Sequence, residues 1–245
     1  MLQIPGPFSV RAAQIPLTPD GKNPASTTPL PSLEDSTAEQ VLAFMVDRFH
    51  PRLYAACSFQ KESSVIVDML ARMQPHARFF TLDTGVLFAE TYTTWREIEE
   101  RYGIQIDIYQ GMSLARQAEL HRDELWKTDP DTCCKIRKVV PMAEALGTVD
   151  GWISGLRREQ SALRAHTPKL HWDDRHGLYK ANPLADWSEA DVWRYIAHHR
   201  LIYNPLHDRG YGSIGCTHCT RPGAGREGRW LDQAKSECGL HSQPD

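Results

Sequence analysis

Short apolar runs alternate with amphipathic stretches along the chain, and this pattern predicts a series of strands and helices. Residues 53–57 (LYAAC) have the composition of a short buried strand, and further strands are predicted at 78–82 (RFFTL) and 104–109 (IQIDIY). A stretch with helical apolar spacing follows each of them. A fourth strand is predicted at 151–155 (GWISG). Such alternation is typical of a doubly wound, mostly parallel sheet with helices on both faces, so the predicted fold class is α/β.

Start and stop signals predict where several helices begin and end. A capping box at Ser36–Glu39 is expected to open the first helix, and a second box at Ser188–Asp191 to open a late one. A helix over about residues 89–102 is expected to stop at Gly103, because glycine readily adopts the left-handed conformation that ends helices.

Composition divides the chain into three segments. Residues 1–32 hold seven of the sixteen prolines, which predicts an extension with little regular structure. Residues 33–230 carry the strand and helix pattern and are predicted to form a single α/β domain. Residues 231–245 are predicted to form a mobile tail, because Gly239 loosens the backbone and nothing beyond it can build core.

Size and charge exclude several classes of protein. The 245 residues are 41% hydrophobic and 24% charged, which is enough for one sizeable core. A net charge of −3 argues against general nucleic-acid binding. The sequence lacks both an apolar run of about 18 residues and a secretory signal, so we expect a cytoplasmic protein without membrane or nucleic-acid partners. Its cysteines are then reduced thiols, metal ligands or catalytic groups.

Five of the six cysteines form a pattern: Cys133 and Cys134 are adjacent, Cys216 and Cys219 form a Cys-x-x-Cys pair, and Cys238 stands near the end. Adjacent cysteines are a poor disulfide pair, because their Cα atoms lie about 3.8 Å apart and disulfides need roughly 4.4–6.8 Å. The first four thiols suit a structural zinc or an iron–sulfur cluster, and the side-by-side arrangement favours the cluster. Four ordinary buried cysteines are the alternative.

A short helix is predicted to begin at Cys133, with Asp131 or Thr132 as its cap, so that the helix dipole favours thiolates there. Lys135, Arg137 and Lys138 follow. They form either a solvated basic face or cations that offset the negative charge of a metal centre.

Three segments have features of anion sites. The loop at 58–64 (SFQKESS) joins a strand to a helix N-terminus, where backbone N–H groups favour phosphate, although its serines can also simply cap the helix. Residues 83–85 follow the second strand, where open α/β sheets place ligands, or make a plain turn. Arg157 and Arg158 follow the fourth strand and suit either a bidentate grip on phosphate or sulfate or an ordinary surface pair.

Several segments resemble the assimilatory adenylyl-sulfate (APS) reductases, which belong to the wider family of phosphoadenylyl-sulfate (PAPS) reductases. The resemblance runs from about residue 38 to His241 and is carried by DTCCKIRKVVP, ISGLRREQS, ANPLADW, NPLHDRGYGSIGCTHCTRPG and KSECGLH. Its most specific parts are the paired-cysteine motifs and the ECGLH tail. It implies an adenine nucleotide alpha hydrolase-like fold and Cys238 as the catalytic nucleophile. It also implies one [4Fe-4S] cluster on Cys133, Cys134, Cys216 and Cys219.

The resemblance also implies the substrate contacts. Phosphate is expected on the 58–64 loop, adenosine near the turn at 82–85, and sulfate near the basic residues that follow the cysteines. The implied substrate-binding residues are Ser58, Phe59, Ser63, Leu82, Asp83, Thr84, Gly85, Lys138, Arg157, Arg158, Arg226, Arg229 and His241. The loop departs from the family pattern at Gln60, where glycine is common.

The implied activity is thioredoxin-dependent reduction of APS to sulfite and AMP in sulfate assimilation. The thiolate of Cys238 would form an S-sulfocysteine intermediate, and thioredoxin or a similar dithiol carrier would release sulfite. Three alternatives stay open: the same chemistry on PAPS, an ATP-pyrophosphatase-type enzyme that adenylates its substrate, and a non-catalytic zinc-binding redox sensor. The sequence also leaves open whether the protein forms a homo-oligomer, what residues 1–32 do, and whether Cys57 is merely buried.

Overall fold

The structure is a computed structural model that describes residues 30–121, 123–231 and 235–241. The expectation of little regular structure therefore lies outside the described residues for positions 1–29. From Ser32 onward the chain forms one compact unit, and this unit includes residues 235–241 of the predicted tail.

The described residues form a six-stranded sheet in the order β3-β2-β1-β4-β6-β5. Strand β5 runs antiparallel to β6, and the other neighbouring pairs are parallel. The predicted doubly wound, mostly parallel sheet is therefore confirmed. The strands are β1 (Leu53–Ala56), β2 (Arg78–Asp83), β3 (Ile106–Gln110), β4 (Gly151–Ile153), β5 (Leu170–Asp173) and β6 (Leu178–Ala181).

Helices connect the strands, and the predicted signals mostly mark their ends. Gly103 ends the helix Ala89–Tyr102 with φ of 62°, and Ser188 and Asp191 form the predicted capping box of the helix Glu189–His199. The first capping box is instead made by Thr37 and Gln40. Among the described residues no helix is long and apolar enough to cross a membrane. The α-helices are α1 (Ala38–Phe49), α2 (Lys61–Met73), α3 (Ala89–Tyr102), α4 (Leu114–His121), α5 (Leu125–Thr128), α6 (Pro130–Cys134), α7 (Val140–Leu146) and α8 (Glu189–His199).

Helices cover both faces of the sheet, and alternation along β4 shows this directly. Gly151 lies against Met45 and Phe49 of α1, where an added Cβ would come within 3.1 Å of both side chains. The next residue, Trp152, points to the other face and packs in a core cluster with Met142 of α7. Successive strand residues alternate between faces, so each face buries its own set of side chains.

The helix that carries the paired cysteines begins earlier than predicted. Asp129 caps it by accepting a hydrogen bond of 2.9 Å from the backbone N–H of Thr132, and α6 starts at Pro130. A π-helical turn, Lys135–Val139, then joins α6 to α7. The prediction that Cys133 begins the helix is wrong, because Asp129 satisfies the free N–H groups before the cysteines are reached. π-Helical turns are frequent at functional sites.

Strand order also determines where a ligand can bind. Strand β1 pairs with β2 on one side and with β4 on the other, so the chain reverses its winding direction at this central strand. Open α/β sheets bind ligands outside the carboxyl ends of the strands at such a switch point. The segments that follow β1, β2 and β4 meet there.

Candidate active site

A pocket of about 190 Å³ opens at the carboxyl ends of β1, β2 and β4. It is also lined by the π-helical turn, by the segment around residues 214–229 and by the tail. Most of the predicted site residues meet there. Those that line the pocket are Ser58, Phe59, Leu82, Thr84, Lys138, Arg226, Arg229, Cys238 and His241.

The loop after β1 is shaped by buried side chains. Phe59 has a φ of 57°, and its ring stacks on Trp95 with centroids 5.2 Å apart. The backbone N–H of Phe59 donates to Ser63 Oγ at 3.3 Å, so Ser63 holds the loop from behind and does not line the pocket. Gln60 has a φ of −94°, which requires no glycine, and its Oε1 accepts a hydrogen bond of 2.7 Å from Ile214 N–H.

In the turn after β2, one predicted residue lines the pocket and two others shape the turn. Thr84 lines the pocket. Asp83 does not, because its carboxylate accepts hydrogen bonds from Gly85 N–H at 2.9 Å, Tyr92 Oη at 2.7 Å and Gln110 Nε2 at 2.8 Å. Gly85 has a φ of 69°, which favours glycine. Asp83 and Gly85 shape the turn, and their expected contact with adenosine stays a prediction.

The paired arginines after β4 are not in the pocket, which corrects the expected grip on phosphate or sulfate. Arg157 is 2% exposed, and its guanidinium is neutralised by three carboxylates. They are Glu62 at 3.0 Å, Glu159 at 2.9 Å and Glu189 at 2.5 Å. Glu62 lines the pocket, so Arg157 offsets a negative charge beside the candidate anion site.

Arg158 points away from the pocket as well. Its Nε donates to the carbonyl oxygen of Thr167 at 2.9 Å, and its Nη2 pairs with Glu34. The sequence pair at 157–158 is therefore one buried structural arginine and one at the surface.

Sequence reasoning missed Arg164, which lines the pocket from the loop after β4. Its guanidinium makes two hydrogen bonds to Glu237 of the tail, of 3.0 Å and 2.9 Å. The sequence did place an arginine in the loop at the carboxyl end of β4. The anion-binding role was instead assigned to the adjacent arginines at 157–158. Gln60 and Trp152 also line the pocket and were not predicted to bind substrate.

The tail segment 235–241 packs into the pocket. The imidazole of His241 stacks on Trp152, with centroids 5.7 Å apart and ring planes 10° apart. Lys180 Nζ lies 3.4 Å from Nδ1 of the same imidazole. Burial, reinforced by the positive charge of Lys180, holds the pKa of His241 well below its usual value. The ring is therefore neutral and can accept a hydrogen bond from Lys180.

The surroundings of Cys238 favour its thiolate. Burial opposes ionisation, but it is outweighed by the charge of Lys138, a hydrogen bond from the backbone N–H of Leu240 and the charge of Arg229. Together they hold the pKa of Cys238 below its ordinary value. A lowered thiol pKa beside cations is the usual property of a reactive cysteine. Gly215 allows Arg229 to lie there, because a methyl group at 215 would clash with the guanidinium.

The other four predicted cysteines line a second pocket beside the first. They are Cys133, Cys134, Cys216 and Cys219. Burial raises the pKa of Cys133 to about 11 and raises that of Cys134 and Cys219 as well. Within the described ranges, no three His, Cys, Asp or Glu side chains converge as ligands of a single ion.

Two basic residues of the π-helical turn face this cysteine pocket. Arg137 is buried, lines the pocket, and its Nε and Nη2 have no hydrogen-bond partner in the part of the chain that the structure describes. Buried guanidinium N–H groups without partners are costly, which fits an anionic group in this pocket. Lys138 lines both pockets and lies between them.

Comparison with known proteins assigns the family. The sequence signature of the phosphoadenosine phosphosulfate reductase domain matches residues 52–222. An adenosine 5'-phosphosulfate reductase of Lysinibacillus sphaericus is 45% identical over 211 residues, covering 83% of this chain and 90% of the relative. One from Salinibacter ruber is 40% identical over 236 residues, covering 92% and 94%. The chain belongs to the phosphoadenosine phosphosulfate reductase family.

Solved structures agree with this family and fold. The crystal structure of phosphoadenylyl-sulfate (PAPS) reductase from Candida auris, a phosphate complex, matches with a TM-score of 0.68 at 30% identity, covering 77% of this chain and 94% of that chain. The FMN adenylyltransferase of Candida glabrata matches with a TM-score of 0.54 at 14% identity, covering 76% and 61%. The second likeness shows the fold alone.

Within this fold, the chain brings together the loop between β1 and α2, four basic side chains and one thiol with a lowered pKa. The basic side chains are Lys138, Arg164, Arg226 and Arg229. Such a pocket can bind a substrate with several negative charges and expose it to a sulfur nucleophile.

Proposed function

We propose that this protein reduces adenylyl sulfate to sulfite and AMP through a sulfonated Cys238. The supporting observation is that Cys238, with its lowered pKa, lies in the same pocket as the loop between β1 and α2 and the four basic side chains. The relatives that cover most of the chain are named adenosine 5'-phosphosulfate reductases, which supports the same substrate here.

The charges in the pocket and its position at the carboxyl ends of the strands indicate how adenylyl sulfate would bind. The N-terminus of α2 directs its positive dipole end to the pocket, where Ser58 and Gln60 lie, and suits the substrate's phosphate. Leu82 and Thr84 provide an apolar and a hydroxyl contact for adenosine. The sulfate then lies toward Lys138 and the arginines, near the thiol.

The first chemical step is nucleophilic substitution at sulfur. The thiolate of Cys238 forms an S–S bond with the sulfate sulfur, and the bond from that sulfur to the bridging oxygen breaks. AMP leaves with this oxygen and its electron pair, while the thiol proton has already gone to solvent. Arg226 and Arg229 would stabilise the charge that grows on the leaving phosphate, as preorganised donors do in other active sites.

The second step needs two electrons from a dithiol carrier of the thioredoxin type. One carrier thiolate attacks Sγ of Cys238, which releases sulfite and leaves a mixed disulfide. The second carrier thiol displaces Cys238, so the carrier leaves oxidised and the enzyme thiol is regenerated. The position of Cys238 on the tail would let the same sulfur react first with the substrate in the pocket and then with the carrier.

Cys133, Cys134, Cys216 and Cys219 would hold one [4Fe-4S] cluster. The thiol donors, their burial and the unpartnered Arg137 beside them all fit such a group. When bound, the cluster would supply rigid cross-linking and negative charge next to Lys138. The two electrons of the reaction come from the carrier.

The test combines substrate trapping with a sulfite assay. Incubation with APS alone should add a sulfonate to one cysteine, identified by mass spectrometry as Cys238, and thioredoxin should then release sulfite. The variant Cys238→Ser should lose both signals. An adduct on another residue, or sulfite release by this variant, would remove Cys238 from the mechanism.

PAPS is the second candidate substrate, because the Candida auris relative at 30% identity is a PAPS reductase. The two substrates differ by a 3'-phosphate. We expect a higher kcat/KM for APS, in line with the names of the relatives at 40% and 45% identity. Equal or higher kcat/KM for PAPS would reverse this assignment.

A further inference from the structure

Glu237, the residue before Cys238, links the tail to two sides of the pocket. Its carboxylate accepts two hydrogen bonds from Arg164, at 3.0 Å to Nε and 2.9 Å to Nη2, in a bidentate arrangement. Arg226 Nη2 donates to the same carboxylate at 3.0 Å. The side chains of Arg164, Arg226 and Glu237 are only 9%, 17% and 22% exposed.

The two arginines come from separate parts of the fold. Arg164 belongs to the loop after β4, and Arg226 belongs to the segment that follows Cys219. Arg226 Nη2 also donates to the backbone carbonyl oxygen of Ser236 at 2.8 Å, next to Glu237. A carboxylate held from two directions fixes the adjoining backbone in position and orientation, as a single contact would not.

Other tail contacts lie on both sides of this carboxylate, and the guanidinium of Arg175 donates to the backbone carbonyl oxygen of Gly239, directly after Cys238. Lys235 pairs with Asp131 before the carboxylate, and His241 stacks on Trp152 after it. These contacts tether the two ends of the described tail. Glu237 is the charged anchor directly beside Cys238.

We propose that Glu237 is a positioning residue: its clamp between Arg164 and Arg226 holds the thiol of Cys238 in the pocket for attack on the substrate. The inference rests on the proposed function for the reaction itself. The docking of the tail, however, is a property of the protein without substrate and can be measured separately.

The first test measures docking in the Glu237→Gln variant. The amide group of glutamine turns an N–H₂ donor toward the arginine donors. We therefore expect the equilibrium constant for docking of the tail to fall on the order of tenfold. The rate of hydrogen exchange of the amides at 235–241 should rise about tenfold. The rate of alkylation of Cys238 by iodoacetamide should rise by a similar factor. Alkylation is compared at pH values where the thiol is fully ionised, because removing Glu237 also favours the thiolate.

Glu227→Gln is the matched control, since Glu227 is an exposed carboxylate on the segment that carries Arg226. It should leave exchange and alkylation at wild-type rates. Glu237→Asp keeps the charge on a shorter side chain and should restore part of the protection. Wild-type exchange and alkylation in Glu237→Gln would overturn the proposal.

The second test separates the two chemical steps. In a single turnover with APS, Glu237→Gln should form the Cys238 adduct about tenfold more slowly, while release of sulfite from preformed adduct by thioredoxin stays at the wild-type rate. Slower adduct formation with unchanged tail exchange would contradict a positioning role. If wild-type protein forms no adduct, the proposed function fails, while the exchange experiment still decides whether Glu237 docks the tail.

Discussion

Lys138 lies between the two pockets, so its charge acts on Cys238 as well as on the cysteine pocket. Replacing it by glutamine removes the largest of the favourable influences that lower the pKa of Cys238. We predict that Lys138→Gln raises this pKa, because the thiolate then loses the positive charge that favours it most. The pH dependence of Cys238 alkylation, followed on the tail peptide by mass spectrometry, measures the shift.

Lys135→Gln provides the control for this prediction. Lys135 belongs to the same π-helical turn but is exposed, so its replacement should leave the alkylation profile unchanged. Overlapping profiles for Lys138→Gln and the wild type would show that other groups, such as Arg229, activate the thiol.

We predict that Arg157 contributes to the stability of the fold and not directly to substrate binding. In Arg157→Met the buried carboxylate of Glu62 would lose its hydrogen-bonded partner and keep only Lys61, whose Nζ lies 3.9 Å from Oε1. We therefore expect the free energy of unfolding to fall, by at most the roughly 3–5 kcal/mol that breaking a buried ion pair typically costs. Urea denaturation measures it. Arg158→Gln, at the partly exposed pair with Glu34, should cost about 1 kcal/mol or less. If Arg157→Met instead kept its stability and raised the KM for APS, the residue would be a direct substrate ligand.

At the scale of elements, much of the central sheet was predictable, because strands β1 to β4 lie at the runs predicted at 53–57, 78–82, 104–109 and 151–155. Strand β6 was not, since its four residues include Lys180, whose burial depends on Asp173 and Trp152 in neighbouring strands. The buried role of Arg157 was hidden for a similar reason: its partners at 62 and 189 are distant in sequence. Local patterns identify elements, but they do not reveal which charges meet after folding.

The loop between β1 and α2 carries the prediction at this scale. Gln60 joins it to the segment of the Cys-x-x-Cys pair through the hydrogen bond to Ile214 N–H. Losing a hydrogen bond that leaves its partner buried costs roughly 1–3 kcal/mol, so Gln60→Ala should raise the KM for APS by about tenfold with little change in kcat. Gln60→Gly should behave similarly, because the φ of −94° needs no glycine. Steady-state kinetics of both variants test this.

Comparing the two variants separates the hydrogen bond from backbone freedom. A much larger KM increase for Gln60→Gly than for Gln60→Ala would assign the effect to loop flexibility. Wild-type KM in both would mean that the loop holds its conformation through Phe59 and Ser63 alone.

For the whole molecule, the sequence indicated which residues belong to the site but not how the chain closes around it. The ECGLH segment identified Cys238. The docked position of the tail depends on contacts with Trp152 of β4, Arg164 of the loop after β4 and Lys180 of β6, all distant in sequence from the tail. The prediction of a mobile tail stays a prediction, and the described residues 235–241 show the docked arrangement.

The cysteine pocket joins the helix that begins at Pro130 to the segment around residues 216–219, so a metal centre there would cross-link distant parts of the chain. Metal binding to such a site contributes directly to folding free energy. Removing iron with a chelator should therefore lower Tm by roughly 10 °C, and Cys133→Ala should purify with little iron and sulfide. Cys57→Ala, a buried thiol outside the cysteine pocket, should keep its full iron and sulfide content. Full iron and sulfide in Cys133→Ala, or an unchanged Tm after chelation, would contradict a structural cluster at this position.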